Sequence, residues 1–190
     1  TSPATAGSQS AVGYYFGRML HKELGVPVGL VNTSYGGATA QAYTPIEALE
    51  DDSRLKANFV DPYKANPDMN VLVRPAELYN SMVHPLLPLS ARGVVWYQGE
   101  GNWGDYPIYP LLMKTLINGW RRNFAHSEMP FYYVQIAPWG FGQDTSSKEW
   151  FYTQGEAIGY AYMREAQALT REQVSHSGMA VTMDVGDPDD

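Results

Sequence analysis

The run Gly93-Val94-Val95-Trp96-Tyr97-Gln98-Gly99-Glu100-Gly101-Asn102-Trp103 constrains this chain more than any other stretch. A short apolar segment that begins and ends at glycines has the pattern of a central strand in a parallel sheet. It stops at a turn crowded with polar side chains. In open α/β sheets, ligands sit beyond the carboxyl ends of such strands. Gln98, Glu100 and Asn102 therefore stand where chemistry is done, and the glycines let the backbone approach a substrate closely. The competing reading is a structural strand-to-helix turn that happens to be rich in amides.

Strand and helix signals alternate along the rest of the chain. Ser10 is a suitable N-cap for a helix running to about Leu24, with Val12, Tyr15, Phe16, Met19 and Leu20 at helical spacing and Gly25 and Pro27 ending it. Val28–Val31 reads as a short β-branched strand leading into Asn32-Thr33-Ser34-Tyr35-Gly36-Gly37-Ala38. Thr44 and Pro45 open a helix expected to reach about Phe59. Residues 61–75 hold three prolines and read as an ordered loop, and 76–83 as a short helix stopped near Pro85. Tyr109–Phe124 places Leu111, Leu112, Leu116, Ile117 and Trp120 on one helical side, with Arg121 and Arg122 complementing the dipole in the last turn. Phe131–Ile136 is a further strand, followed by a loop over 141–149, a long helix over about 150–169 and a strand at Met179–Met183. The alternation implies an α/β fold with a parallel sheet flanked by helices, in one domain over residues 1–190. Its strands are expected at Val28–Val31, Val94–Tyr97, Phe131–Ile136 and Met179–Met183, with Gly37, Gln98, Asn102 and Asp189 brought to one face.

A length of 190 residues suits one domain with a sizeable core. The net charge of −7 argues against nucleic acid or an anionic membrane surface as partner, since both select basic patches. No apolar run has membrane-spanning length, so a soluble chain is expected. The absence of cysteine excludes disulfides, thiolate metal sites and a cysteine nucleophile. Of the histidines, His21, His84, His126 and His176, none forms a metal-binding pair, and no metal or cofactor is expected. His84, just before the central strand, is the one placed to act as a general base, although a histidine before proline is more often a turn residue.

Two stretches place a serine beside glycine. In Asn32–Gly37 the glycines either turn backbone N–H groups toward an oxyanion, or make a tight structural turn, or follow Ser34 in a nucleophile elbow whose first glycine is replaced by Asn32. Gly7-Ser8-Gln9-Ser10 has no preceding strand and is better read as a helix cap. At the other end, Met183-Asp184-Val185-Gly186-Asp187-Pro188-Asp189-Asp190 holds four acids in its last seven residues, a composition suited to calcium, to a solvated loop or to a triad carboxylate.

Taken together, these stretches resemble the sialate O-acetylesterase group of the SGNH hydrolases, which is related to the carbohydrate acetyl esterases that act on xylan. The matching residues are Ser10–Arg18, Gly25–Gly37, Leu78-Tyr79-Asn80-Ser81-Met82-Val83-His84-Pro85-Leu86, Gly93–Asn102 and Pro130–Pro138, with Trp96-Tyr97-Gln98-Gly99-Glu100 the most specific. The resemblance implies a three-layer α/β/α fold and a serine esterase that removes acetyl groups from sugars without a metal. It implies that Gly37, or Gly36, donates a backbone N–H to the oxyanion. Gln98, Glu100 and Asn102 match the block that supplies side-chain donors and orients the nucleophile. Asp189, with Asp190 as rival, matches the triad acid. Glu100, Gly36, Trp103 and Asn80 are expected to contact substrate. The family's nucleophile lies in a Gly-Gln-Ser-Asn turn and its base in an Asp-x-x-His block, and both are expected outside residues 1–190, in neighbouring segments of the same protein. A secreted or periplasmic location is expected.

Two other readings remain. One keeps the chemistry within the chain, with Ser34 as nucleophile and His84 as base. The other is a carbohydrate-binding module using Trp96, Trp103 and Trp139 as platforms.

Overall fold

The computed structural model describes residues 5, 7, 9–137 and 149–185, with residues 149–158 described as helical backbone alone. Trp139, Asp189, Asp190 and nearly all of the loop expected over 141–149 lie outside the described residues. The chain groups into two compact units, Thr1–Gly36 and Gly37–Asp190.

In the first unit, helix α1 (Ala11–Leu24) starts and stops where its signals stand. The Ser10 hydroxyl accepts from the Gly13 N–H at 3.3 Å, and left-handed Gly25 returns its N–H to the His21 carbonyl at 3.0 Å. Gly17 sits against Leu30, whose Cδ1 would lie 3.0 Å from a Cβ at that position. The strand expected at Val28–Val31 is not formed. A β-branched run becomes a strand only where a neighbouring backbone completes its ladder. No ladder among the described residues includes these four, and Val31 is 62% exposed.

The second unit is built on a parallel sheet of β1 (Val94–Tyr97), β2 (Phe131–Val134) and β3 (Ser177–Ala180), in that order. Val94 pairs with Phe131 and Tyr97 with Val134; Phe131 pairs with Ser177 and Val134 with Ala180. Helix α3 (Tyr109–Asn123) links β1 to β2, and α4 (Glu149–Gln173) links β2 to β3. Both crossovers step the same way across the sheet, and a shared crossover hand places both helices on one face. On that face Trp96, Phe131 and Tyr133 are buried, and Trp96 meets the rings of Tyr43 and Trp120 edge-on at 5.5 and 6.1 Å. The Trp120 indole donates to the Tyr43 carbonyl at 2.8 Å, so the core cluster leaves that N–H satisfied. On the opposite face Tyr97 and Tyr132 are nearly half exposed.

The helix expected from Pro45 to Phe59 is broken. Helix α2 (Ile46–Glu50) ends at Asp51, and a new helical stretch starts at Ser53 and runs through a π-helical turn at Lys56–Val60 to Ala65. Asp52 causes the break. Its carboxylate accepts from the Arg54 N–H at 2.9 Å as an N-cap and also holds the Arg54 guanidinium, which lowers its pKa to about 2. The segment 61–65, expected as loop, is thereby helical. The strands at Phe131 and Met179 are each shorter than or offset from expectation, closing at Val134 and Ala180.

Arg121 holds the amino ends of the sheet. It is buried, and its guanidinium donates to the carbonyls of Met129, just before β2, and of Ser175 and His176, just before β3, at 2.8–3.2 Å. Burial lowers its pKa, with Glu128 opposing. Arg121→Ala would remove these charge-assisted bonds, leaving only the Phe131 N–H on the His176 carbonyl, and should cost about 3 kcal/mol, by the size of hydrogen bonds to charged groups. Arg121→Lys should lose a large part of that, because an ammonium lacks the planar fork. Urea midpoints measure both; a wild-type midpoint for Arg121→Ala would contradict the staple.

Candidate active site

β1 ends at Tyr97, and the backbone must leave the sheet within two residues. Gly99 permits this. A Cβ there would lie 2.5 Å from Ile136 Cγ2 and 3.1 Å from Gln167 Nε2, so no larger residue fits. A 3-10 turn over Glu100–Asp105 follows, closed by the Asn102 N–H donating to the Gly99 carbonyl at 2.9 Å. This turn packs on α4: a Cβ at Gly159 would fall 2.5 Å from the Trp103 ring, and Tyr106 stacks on Tyr162 at 4.8 Å.

The two amides of the turn face inward. Gln98 is 9% exposed, and its Nε2 donates to the Ala38 carbonyl at 3.1 Å and to Asn102 Oδ1 at 2.7 Å. Its Oε1 accepts from the Tyr109 hydroxyl at 3.0 Å. Asn102 is 1% exposed; its Oδ1 also accepts from the Ala40 N–H at 2.8 Å, and its Nδ2 donates to Gln41 Oε1 at 2.9 Å and to Asp105 Oδ2 at 2.8 Å. A primary amide has two N–H donors. Both Nε2 hydrogens of Gln98 and both Nδ2 hydrogens of Asn102 are thus directed at protein acceptors. In this arrangement neither side chain has a hydrogen to offer an oxyanion, and the two amides instead carry the segment Ala38–Gln41 on the strand end.

That segment brings Gly37 with it. A Cβ at Gly101 would lie 3.1 Å from the carbonyls of both Gly37 and Ala38, so the two glycine turns are in close contact. Gly37 has φ 77°, the left-handed region in which a glycine is favoured. Gly37, Gln98 and Asn102 are brought together at the carboxyl end of β1. Glu100 is exposed at the head of the turn, and Trp103 is 38% exposed beside it. Burial raises the pKa values of Tyr97 and Tyr109, and the Glu100 charge adds to both shifts.

Within the second unit, two other expected residues lie elsewhere. Asn80 and His84 line a polar cleft of about 340 Å³ with Glu47, Tyr79, Leu87 and Asn123. Tyr109 opens α3 at Gln98, and Asn123, bonded to the Tyr79 hydroxyl, closes it. At 1.5 Å per residue the helix separates that cleft from Gln98 by roughly 20 Å. Asn80 is therefore not part of the strand-end cluster. In the first unit Gly36 is exposed, and the Ser34 hydroxyl donates to Asn32 Oδ1 at 2.7 Å. Trp96, a platform in the binding-module reading, is a core residue at 7% exposure. Among the described residues no cluster of His, Asp and Glu is placed to hold a metal, and no helix is long and apolar enough to cross a membrane.

Sequence reasoning missed Gln41, Tyr109, Asp105 and Gln167, which complete the hydrogen bonding. Gln167 is 1% exposed; its Oε1 accepts from the Ile136 N–H at 3.0 Å, and its Nε2 donates to the Gln98 carbonyl at 3.0 Å. Its signal was a polar residue on the apolar stripe of Met163, Ala166 and Val174. Tyr109 was counted only as the start of a helix.

A parallel α/β sheet with helices and a glycine-rich polar turn at its strand ends defines the fold class, and it is SGNH-like. The crystal structure of a carbohydrate acetylesterase from Xanthomonas citri superposes with a TM-score of 0.78 and 34% identity, covering 100% of this chain and 38% of that one. The chain matches the carbohydrate esterase, sialic acid-specific acetylesterase family over residues 4–187, and it belongs to that family. The sialate O-acetylesterase of Homo sapiens is 32% identical over 196 aligned positions, an alignment that covers 95% of this chain and 34% of that protein. That of Rattus norvegicus is 31% identical over 216 aligned positions, gaps included, covering 95% and 38% respectively. The chain spans about a third of the length of these relatives.

Two outcomes follow from the amide network. Asn102→Ala should lower stability by about 3 kcal/mol, because it strands several buried partners at once; a thermal or urea midpoint equal to wild type would contradict the network. Burial raises the Asp105 carboxyl above its ordinary value of 3.8, against the opposing pull of its Asn102 hydrogen bond. A raised acid binds its proton more tightly in the folded state, so stability falls as pH climbs through the raised value. Asp105→Asn keeps an acceptor for Asn102 and should flatten that fall, which urea midpoints across pH 4–8 would record at about half-unit steps. Parallel profiles for parent and variant would show that Asp105 does not titrate as described.

Proposed function

We propose that this chain is the core of a carbohydrate O-acetylesterase, removing acetyl groups from sialic acid or a related acetylated sugar. The supporting observation is the joining of the Gly37 turn to the Gln98–Asn102 turn at the strand ends, in a chain of this family. A half-exposed Trp103 next to Glu100 offers a sugar both an apolar face and a hydrogen-bond acceptor.

The reaction is acyl transfer through an acetyl-serine. A serine oxygen attacks the acetyl carbonyl while a histidine takes the serine proton. The oxyanion that forms is held by backbone N–H groups at Gly37, since the Gln98 and Asn102 side-chain donors are already engaged. The histidine then protonates the departing sugar oxygen, and water, deprotonated by the same histidine, releases acetate. Serine and histidine come from sequence flanking residues 1–190, and Asp189 orients the histidine. A secreted or periplasmic site of action accompanies this reading.

The self-contained alternative requires an activated Ser34. Its hydroxyl proton is directed at the Asn32 amide oxygen, which is no general base. The two readings separate on one experiment. Residues 1–190 alone should turn over no aryl acetate above background and take no fluorophosphonate label, whereas the chain extended through its natural flanking sequence should label once, at the upstream serine. Stoichiometric labelling of Ser34 in residues 1–190, lost in Ser34→Ala, would overturn the assignment.

A further inference from the structure

We infer that Gln167 is a positioning residue for the proposed site, acting through the peptide of Gln98. The inference rests on the esterase reading, but its geometry stands by itself. The β1–β2 ladder ends at the pair Tyr97 and Val134. One step further, the Gln135 N–H goes to Ala180 on β3, and the next donor, Ile136 N–H, goes to Gln167 Oε1. Across from it, the Gln98 carbonyl accepts from Gln167 Nε2 at 3.0 Å, and the same Nε2 lies 3.4 Å from the Val134 carbonyl. The side chain of Gln167 thus supplies the rung that the ladder would have made had β1 continued. This lets the backbone leave the sheet at Gly99 without orphaning a carbonyl or an N–H.

A leucine or methionine would fill the same space without the cost of burying an amide. What the amide adds is a fixed orientation of the Gln98 peptide. From there the constraint passes to the Gln98 side chain, to Asn102 and to the Ala38–Gln41 segment beside Gly37. Gln167 reaches no substrate; it sets the turn that does.

The test uses the chemistry of an isosteric acid. In Gln167→Glu, the neutral carboxyl can still accept from Ile136 and donate to Gln98, while the carboxylate faces two carbonyls with no proton to give. Burial favours the neutral form, so the variant should recover as pH falls. In the chain extended through its natural flanking sequence, kcat relative to wild type at the same pH should be about tenfold lower or worse near pH 8 and should return toward unity near pH 5.5, with KM little changed. Gln167→Met should stay low at every pH. Circular dichroism at each pH keeps loss of fold separate from loss of rate. A merely structural role would lower melting temperatures but leave the folded variants with wild-type kcat, and that result would overturn the inference.

A second arm needs no activity. In residues 1–190, hydrogen-exchange protection of the amides in 99–103 and 38–41, as a ratio to wild type, should drop in Gln167→Glu at pH 8 and recover at low pH. Unchanged protection in both segments would also overturn the inference. If the wild-type extended chain hydrolyses no acetylated sugar, the esterase reading fails instead, and the exchange arm decides the role of Gln167.

Discussion

The second unit depends on a set of uncharged amides buried where a strand ends. Leaving a parallel sheet exposes backbone donors and acceptors in a place that water does not reach, and each unpaired group would cost on the order of 1–3 kcal/mol. Gln41, Gln98, Asn102 and Gln167 meet that demand without bringing in a charge. A carboxamide accepts and donates at once, so four of them bind β1, β2, α4 and the Ala38–Gln41 segment into one network. The carboxyl among the described members, Asp105, stands at the half-buried rim, where a carboxylate costs least.

The two ends of the sheet are held by different chemistry. At the amino ends one guanidinium gathers three carbonyls, a charged fork that stabilises by strong bonds to neutral acceptors. At the carboxyl ends neutral amides do the holding. In the proposed reaction the oxyanion would rest beside them, held by the backbone N–H dipoles of the turn. The aromatic core of Tyr43, Trp96, Trp120 and Phe131 lies between and keeps the ends in register.

Much of the fold was legible in the sequence. β1, α1 and α3 stand out because their signals are local: a glycine-bounded apolar run, a serine cap with a left-handed glycine stop, and a leucine stripe ending in arginines. The Val28–Val31 strand was misread because strand formation depends on a ladder partner, which no local pattern reports. The single helix expected from the Thr44 and Pro45 start signals is interrupted at Asp52, whose capping bond to Arg54 opens a new helical stretch. Gln98 and Asn102 were found, since amides beyond a strand end attract notice, but their direction was not. Whether an amide points at substrate or at its own backbone depends on residues such as Ala38 and Gln41, some sixty positions away in sequence. Gln167 carried only a faint mark, as one polar side chain on an apolar helix face.

The Gln98 and Asn102 amides are structural members whose donors are engaged within the protein. Hydrogen exchange of their side-chain NH₂ groups, followed by nitrogen-edited NMR, reads this directly. Engaged and buried groups should exchange at least about a hundredfold more slowly than exposed amides, as expected for groups that open only against several net hydrogen bonds. Exchange at the rate of free glutamine and asparagine side chains would mean that these donors face solvent, and that the turn offers them to a substrate after all.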